Sequence, residues 1–392
     1  VKNHQTERLL ILVVLALLLT GIVMVYSASA VMAGQAYGEA TWFVKKQILW
    51  AGVGLLVMAV FSRIPYRYWK GISFPLMVAA VIGLVAVLTP ALGQEINGSR
   101  RWLRIAGLSF QPSEVARLAT VVYLASYLAR RREHLDDFAR GFLPPVLTVG
   151  FLMSLILTEP DFGTAAVMGL IAGAMMFLGG IRLRHLWGVT LLGLPAVYAM
   201  VMRVDYRRER MLSFLNPWED PTDKGFQIIQ SFLALGEGGT VGTGLGEGWQ
   251  KLFYLPYPHT DFIFAVIGEE LGLIGTISVL GLFALVTGCG VRIARAAPDA
   301  FGRYLAFGVT LMIVLQAQIN MAVVTGLLPT KGLTLPLLSY GGSSLLVNLA
   351  GVGILLSVAR EGGSARAKVR EEKTSRRRAP VRQRFRFGRR SA

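Results

Sequence analysis

Leu9-Leu-Ile-Leu-Val-Val-Leu-Ala-Leu-Leu-Leu-Thr-Gly-Ile-Val-Met-Val25 runs for seventeen residues without a charge. The run shows no alternation of period two. In hydrocarbon every backbone group must bond within its own segment or within a closed barrel, so a continuous run of this kind reads as a helix and not as a barrel strand. Nine further apolar stretches follow, two of them carrying charges: Ile48 to Phe61, Ile72 to Leu88, Ser113 to Leu128, Phe142 to Leu157, Thr164 to Leu178, Leu186 to Met202, Phe262 to Val286, Tyr304 to Leu328 and Leu345 to Val358. Several fall short of the roughly 20 residues that cross a bilayer core, so flanking aromatic and small residues complete them. The fold class is an all-α polytopic membrane protein with about ten transmembrane helices. Tyr26-Ser-Ala-Ser-Ala30 looks like a signal-cleavage end, but nine later segments need an anchor, and the first is expected to stay.

Lys and Arg set the orientation. Arg63, Arg67 and Lys70, then Arg130 to Arg132 and Arg140, then Arg182 and Arg184, then Arg292, Arg295 and Arg303 fall in alternate loops. The positive-inside rule makes those loops cytoplasmic and puts both termini inside. The other loops then face outward: those with Lys45 and Lys46, with Arg100, Arg101 and Arg104, with Glu159 and Asp161, with Lys331, and a large loop, residues 203–260, between helices 7 and 8.

The formal charge of +17 suggests nucleic acid until it is located. Much of it lies after Arg360, in Arg376-Arg-Arg378 and Arg382 to Arg390. A basic tail beside a membrane segment binds anionic head groups more readily than nucleic acid. The chain therefore divides into a membrane domain, residues 1–360, and a basic tail, residues 361–392, whose composition predicts disorder.

Cys289 is the single cysteine, which excludes an internal disulfide, and His4, His134, His185 and His259 show no ligand spacing. A hard divalent cation held by carboxylates stays open, with no ligand named for it. Gly236 to Gly248 is glycine-rich but lacks the Gly-Lys-Ser/Thr ending of a phosphate loop, and it reads as a flexible loop.

Two outward regions depart from a plain bundle. Asn97-Gly-Ser-Arg-Arg-Trp102 precedes Gln111-Pro-Ser-Glu114, a helix start, with Arg117 one turn below Glu114 and able to pair with it. That pair suits a structural role and a substrate role equally. The long loop carries Tyr206-Arg-Arg-Glu-Arg210, Asn216-Pro-Trp-Glu-Asp-Pro221 and Gln250-Lys251, with Trp218 and Trp249 as interface anchors.

Its end, Tyr254-Leu-Pro-Tyr-Pro-His-Thr-Asp261, runs into an apolar segment that carries Glu269 and Glu270. Ionisable groups at and below a membrane boundary are costly, so they mark a functional site by default. Asp261 suits a catalytic carboxylate or a helix cap. At about 100° per residue, Glu269 and Glu270 point roughly 80° and 180° away from Asp261. One is then expected to border a cavity and the other to pair with Gln316, Gln318 or Asn320.

Seven stretches together resemble the SEDS (shape, elongation, division and sporulation) family of bacterial peptidoglycan glycosyltransferases. They are Met24-Val-Tyr-Ser-Ala-Ser29, Asn97 to Trp102, Gln111 to Glu114, Glu159-Pro-Asp-Phe-Gly-Thr164, Asn216 to Pro221, His259-Thr-Asp-Phe-Ile-Phe264 with Gly268-Glu-Glu-Leu-Gly272, and Pro329-Thr-Lys-Gly-Leu-Thr-Leu-Pro-Leu-Leu-Ser-Tyr-Gly-Gly-Ser-Ser344. They follow the family's order from about residue 10 to 360. The forms Pro-Thr-Lys-Gly-Leu-Thr-Leu-Pro and Asn-Pro-Trp-Glu-Asp-Pro favour a division-type member over an elongation-type one.

The resemblance implies a polymerase of lipid II. The 4-hydroxyl of an acceptor GlcNAc attacks C1 of a lipid-linked MurNAc, and undecaprenyl diphosphate leaves. By motif the family's essential aspartate falls on Asp261, as general base. One carboxylate suffices, because a diphosphate departs without a proton and the second acid of a glycosidase has no task. Substrate contacts are expected from Lys45, Lys46, Arg100, Arg101, Trp102, Glu114, Arg117, Arg207, Arg210, His259, Lys331, Ser343 and Ser344, the cations facing the diphosphate. The two serines sit at a helix start able to take an anion. Glu269 and Glu270 are assigned to the cavity or the structure.

Magnesium or manganese is the cation such a donor would bring. The implied partners are a class B penicillin-binding protein and other divisome proteins. The implied location is the bacterial cytoplasmic membrane at the division septum. Related division-type sequences often carry acids before His-Thr-Asp, where this chain has Phe253 and Tyr257. A lipid II flippase is the competing reading, since buried polar residues suit a transport path, but no inverted repeat or pair of broken helices accompanies them. A non-catalytic scaffold leaves the buried acids without a role.

Overall fold

The structure is a computed structural model, and it describes residues 2–96, 99–105, 108–223, 225–250, 255, 256 and 258–378. Its elements are helices α1 (Lys2–Tyr37), α2 (Trp42–Arg63) and α3 (Arg67–Leu88), strands β1 (Gly93–Ile96), β2 (Ser99–Ile105) and β3 (Leu108–Phe110), then helices α4 (Pro112–Arg130), α5 (Leu143–Thr158), α6 (Phe162–Gly179), α7 (Leu183–Met202), α8 (Asp205–Leu215), α9 (Phe226–Glu237), α10 (Ile263–Ala296), α11 (Ala300–Val324) and α12 (Gly342–Arg378). Among the described residues, nine helices are long and apolar enough to cross a membrane. The tenth expected span is α4, which is too polar to meet that standard.

The burial of α4 explains its polarity. Fourteen of its 19 residues are buried, packed among α3, α6 and α11. A helix sheathed by other helices need not be apolar toward lipid, so it can carry Glu114, Arg117 and Thr120 inward. At the other extreme, Val201 is the one buried residue of α7, whose Trp187, Leu191, Leu192 and Tyr198 are exposed. Such a helix is apolar because lipid is its neighbour.

Three stretches depart from the sequence expectations. The first is an antiparallel sheet of order β1-β2-β3 where a plain outward loop was expected. It pairs Gln94 with Trp102 and Glu95 with Arg100, and the register shifts between them. The large loop is the second, because α8 and α9 give it regular structure. In the third, α12 continues through Arg378, so residues 361–378 extend a helix where composition predicted disorder. Propagating a helix already anchored in the bundle costs far less than nucleating one. Residues 379–392 of the tail lie outside the described residues, as do Asn97, Lys251, Phe253, Tyr254 and Tyr257.

The end of the bundle opposite the site is fastened by polar contacts. The Tyr66 hydroxyl donates to Asp299 at 2.9 Å, Arg67 lies 3.8 Å from Asp299 and 3.5 Å from Glu361, and Ser357 donates to the Ile64 carbonyl at 2.6 Å. These contacts join the starts of α3 and α11 to the emerging end of α12.

Candidate active site

Asp261 lies in a turn just before Phe262, the residue that caps α10, so it is not itself the cap. The segment around it is held from three sides. Asn320 of α11 donates to the Asp261 carbonyl at 2.8 Å and to the Leu333 carbonyl at 2.6 Å. The Ser339 hydroxyl donates to the Thr260 carbonyl and accepts from the Leu335 amide at 2.8 Å. The Tyr340 amide donates to the His259 carbonyl at 2.9 Å. The loop between α11 and α12 thus forms the floor beneath His259 to Asp261. Gly332 of that floor lies beside the carboxylate, a Cβ there standing in ordinary contact, 3.4 Å, with Asp261 Oδ2.

Two arginines act on that carboxylate. Arg101 of β2 donates to the Glu159 carbonyl at 2.9 Å and to the Pro160 carbonyl at 2.7 Å, which brings the sheet over the turn between α5 and α6. Arg210 of α8 reaches the Thr330 carbonyl at 3.4 Å. Burial pushes the Asp261 carboxyl up to about 7, against the pull of Arg210 and Arg101 and of the Thr260 hydroxyl. Asp161 adds to the upward shift through its charge. The group nonetheless keeps part of its surface in solvent. A carboxylate poised near neutral pH, partly open and flanked by fixed cations, is suited to general-base chemistry beside an anionic leaving group.

Lys331 stands on the same floor, its amine 5.1 Å from the centre of the Phe162 ring, and burial lowers its pKa. His259 packs against Phe43, 4.5 Å between ring centres, and against Tyr340. Burial pushes its imidazole down to about 4, so the ring is neutral at physiological pH.

The other sequence-predicted residues have partners elsewhere. Lys45 pairs with Glu39, the Lys46 amine lies 3.4 Å over the Trp42 ring, Arg100 lies 3.3 Å from Glu95 across the hairpin, and Arg207 donates to the Met200 carbonyl at 3.1 Å. Trp102 is paired within the sheet. Ser343 accepts from the Gln111 amide at 3.0 Å, and Ser344 accepts from Thr334 at 3.2 Å, so both serines tie the start of α12 to its neighbours. Glu114 and Arg117 form a buried ion pair, and Arg117 also donates to Gln316. Gln316 then donates to the Thr334 carbonyl at 2.9 Å. The pair supports the site's floor from one turn of α11 below Asn320.

Glu269 and Glu270 correct the sequence reading. Among the described residues the two carboxylates are held by loop amides and Ser27, not by Gln316, Gln318 or Asn320, and the segment is not one continuous helix, because Gly272 breaks it with φ 65° and ψ −161°. Glu269 accepts from the amides of Trp249 and Gln250. Glu270 accepts from the Ser27 hydroxyl at 2.6 Å and the Gly246 amide at 3.2 Å. The glycine-rich stretch is accordingly bound down. Its glycines serve close approach, since a Cβ on Gly238 would lie 1.9 Å from the Gly268 carbonyl oxygen.

Two acids near Asp261 went unassigned in the sequence reading, although Glu159-Pro-Asp161 joins two spans on the same side. Asp161 caps α6, accepting from the Thr164 amide at 3.0 Å and hydroxyl at 2.7 Å. The Glu159 side chain is fully buried, with both oxygens unpartnered among the described residues. Burial, reinforced by Asp161, pushes its pKa up to about 8. The folded state therefore holds this proton where the unfolded chain, with an ordinary value of 4.5, has lost it. Stability falls as pH rises between those two values. In thermal unfolding, Glu159→Gln is expected to gain on the wild type as pH goes from 5 to 8. A constant difference in Tm would mean that Glu159 does not titrate there.

Fold and site together describe a polytopic helical membrane protein with a partly exposed carboxylate, Asp261, among cations at one end of the bundle. The profile of the cell cycle protein family of FtsW, RodA and SpoVE matches residues 7–363, and the chain belongs to that family. It is 48% identical over 355 residues to the probable peptidoglycan glycosyltransferase FtsW of Geobacter metallireducens, covering 91% of this chain and 95% of that one. The stage V sporulation protein E of Bacillus subtilis is 45% identical over 359 residues, with 92% and 98% covered. Among solved structures, a chain of a peptidoglycan synthase complex that coordinates polymerization and crosslinking superposes with a TM-score of 0.74 at 33% identity, covering 90% of this chain and 97% of that one. The rod shape determining protein RodA of Thermus thermophilus gives 0.67 at 29% identity, with 90% and 96% covered.

Proposed function

We infer that this chain is a peptidoglycan glycosyltransferase of the division type, which polymerises lipid II into glycan strands during septal wall synthesis and releases undecaprenyl diphosphate. The observation that carries the chemistry is Asp261, part of whose surface reaches solvent, with a pKa raised to about 7 and the charges of Arg101 and Arg210 acting on it. Asp261 takes the proton of the acceptor GlcNAc 4-hydroxyl as its oxygen bonds to C1 of the donor MurNAc. The C1–O bond to the diphosphate breaks with its electron pair going to the leaving group. Arg101, Arg210 and Lys331 supply positive charge for that group, and fixed cations at a water-poor site stabilise developing charge far better than mobile ones in water.

Among the described residues no three His, Cys, Asp or Glu side chains gather to hold a metal. The described residues do not make a protein-only site for magnesium or manganese.

Both termini lie in the cytoplasm of the bacterium and the site faces outward, where the lipid II head group presents its sugars at the membrane surface. A class B penicillin-binding protein is the partner that crosslinks the product, consistent with the structural likeness to a chain of a peptidoglycan synthase complex. The flippase reading rests on Glu269, Glu270 and Gln318 as polar lining of a transport path; both glutamates are bound to the loop of residues 239–250, which weakens that reading.

The test is glycan formation from purified lipid II by the full-length protein, its partner's transpeptidase inactivated. Polymer supports the reading; transbilayer movement of lipid II without polymer makes the protein a transporter. The base must be ionised to act, so kcat is expected to rise with pH through about 7. A profile flat from pH 5.5 to 8.5 would exclude a base of that kind.

A further inference from the structure

In an unbroken helix the amides of Leu273 and Ile274 would bond to the carbonyls of Glu269 and Glu270. At the Gly272 break they bond instead to the carbonyls of Gly239 at 2.9 Å and Thr240 at 3.2 Å. The two carbonyls so released accept from the amides of Thr243 at 2.9 Å and Gly244 at 3.1 Å. The glycine-rich loop thus replaces, group for group, the backbone bonds that the break removes. The two carboxylates extend the contact, Glu270 to Gly246 and Glu269 to Trp249 and Gln250, and the Ser27 hydroxyl ties Glu270 to α1. Glycine is required where the two backbones cross: a Cβ on Gly242, at φ 87°, would lie 2.2 Å from the Glu270 carbonyl oxygen, and one on Gly272 would lie 2.4 Å from the Gly242 nitrogen.

The break makes residues 263–271 a short half-helix. Asp261 stands at its N-terminal end, and the long remainder of α10 does not set its direction. We propose that Glu269 and Glu270 are positioning residues, which splice the loop of residues 239–250 into the break at Gly272 and so fix the half-helix that presents Asp261. This rests on Asp261 as the base. Misplacing a reacting group by about 1 Å costs on the order of 10²-fold in rate. The loop is therefore a structural brace of the site, and its fastening sets the rate.

The test uses the full-length protein in nanodiscs with its partner, following lipid II polymerisation and amide hydrogen exchange. Glu269→Ala is expected to speed exchange in residues 239–250 and 272–276 and to lower kcat by about tenfold or more, with KM within about twofold. The acid limb of its pH profile should shift downward, because a slackened half-helix lets water reach Asp261. Glu269→Gln keeps one acceptor oxygen and is expected to restore exchange and rate together. Trp249→Pro removes one of the two amide donors to Glu269 without touching the buried acid and should move exchange and rate in the same direction as the alanine variant even where Glu269→Ala does not fold. Unchanged exchange in these variants, or faster exchange with kcat and pH midpoint as in the wild type, overturns the proposal. Activity retained by Asp261→Asn would instead sink the base assignment, leaving the exchange data to judge the splice.

Discussion

Asp261→Asn is expected to lower the polymerisation rate by about 10²–10⁴-fold, the usual worth of a general base. The amide matches the carboxylate in shape and still accepts a hydrogen bond from Thr260, but it takes no proton at any working pH. Arg101, Arg210 and Lys331 are untouched, so KM for lipid II should move little. Asp261→Ala should lose as much rate. Neither variant should unfold more easily, because burial is what disfavours the charged form of this side chain, and removing the charge removes that cost. Initial rates at matched folding, with thermal unfolding alongside, make the comparison. A rate within a few fold of the wild type in both variants would take Asp261 out of the chemistry.

Breaking the Glu114–Arg117 pair should produce the largest loss of stability. Arg117 is 1% exposed and Glu114 6%, and Arg117 also binds Gln316 across to α11. Removing one partner strands the other charge in the bundle, at a cost of about 3–5 kcal/mol. Glu114→Ala and Arg117→Met should each unfold at a much lower temperature, whereas the double variant Glu114→Leu with Arg117→Met should recover most of the loss, since no charge remains buried. Equal Tm in wild type and single variants would show that water reaches the pair. Gln316 also holds Thr334, so the single variants are expected to lose some activity at temperatures where they remain folded.

The spans that face lipid were plain in the sequence, because lipid demands apolarity that composition reports directly. Asp261 could be picked out for a related reason, as a charge at the membrane boundary. The least legible features depend on partners distant in the chain. Nothing local to Gly236–Gly248 distinguishes a flexible loop from one bonded to Glu269 and Glu270, because both readings need glycine. The angular placement of those acids assumed one helix, and the Gly272 break exists only because the loop replaces the lost bonds. The hairpin at residues 93–110 had a readable signal in Asn97-Gly98, a favoured hairpin-turn dipeptide, which the prominence of Arg100 and Arg101 as cations obscured. Arg207 and Ser343 have the right chemistry for an anion and lie toward the right end, yet each is consumed by a backbone contact that only the fold creates.

The central place of α4 bears on how the chain is made. On insertion scales an arginine or aspartate at the middle of a helix costs roughly 2.5–3.5 kcal/mol, less toward its ends, and α4 carries Glu114 and Arg117 in its first two turns on a segment too polar to count as a span by composition. Alone it is a poor candidate to leave the translocon for lipid. α3, which packs along it, emerges just before it, but Gln316 is synthesised 199 residues after Arg117. The nascent chain must therefore shelter an unfinished polar helix among its neighbours while about half of the chain is made.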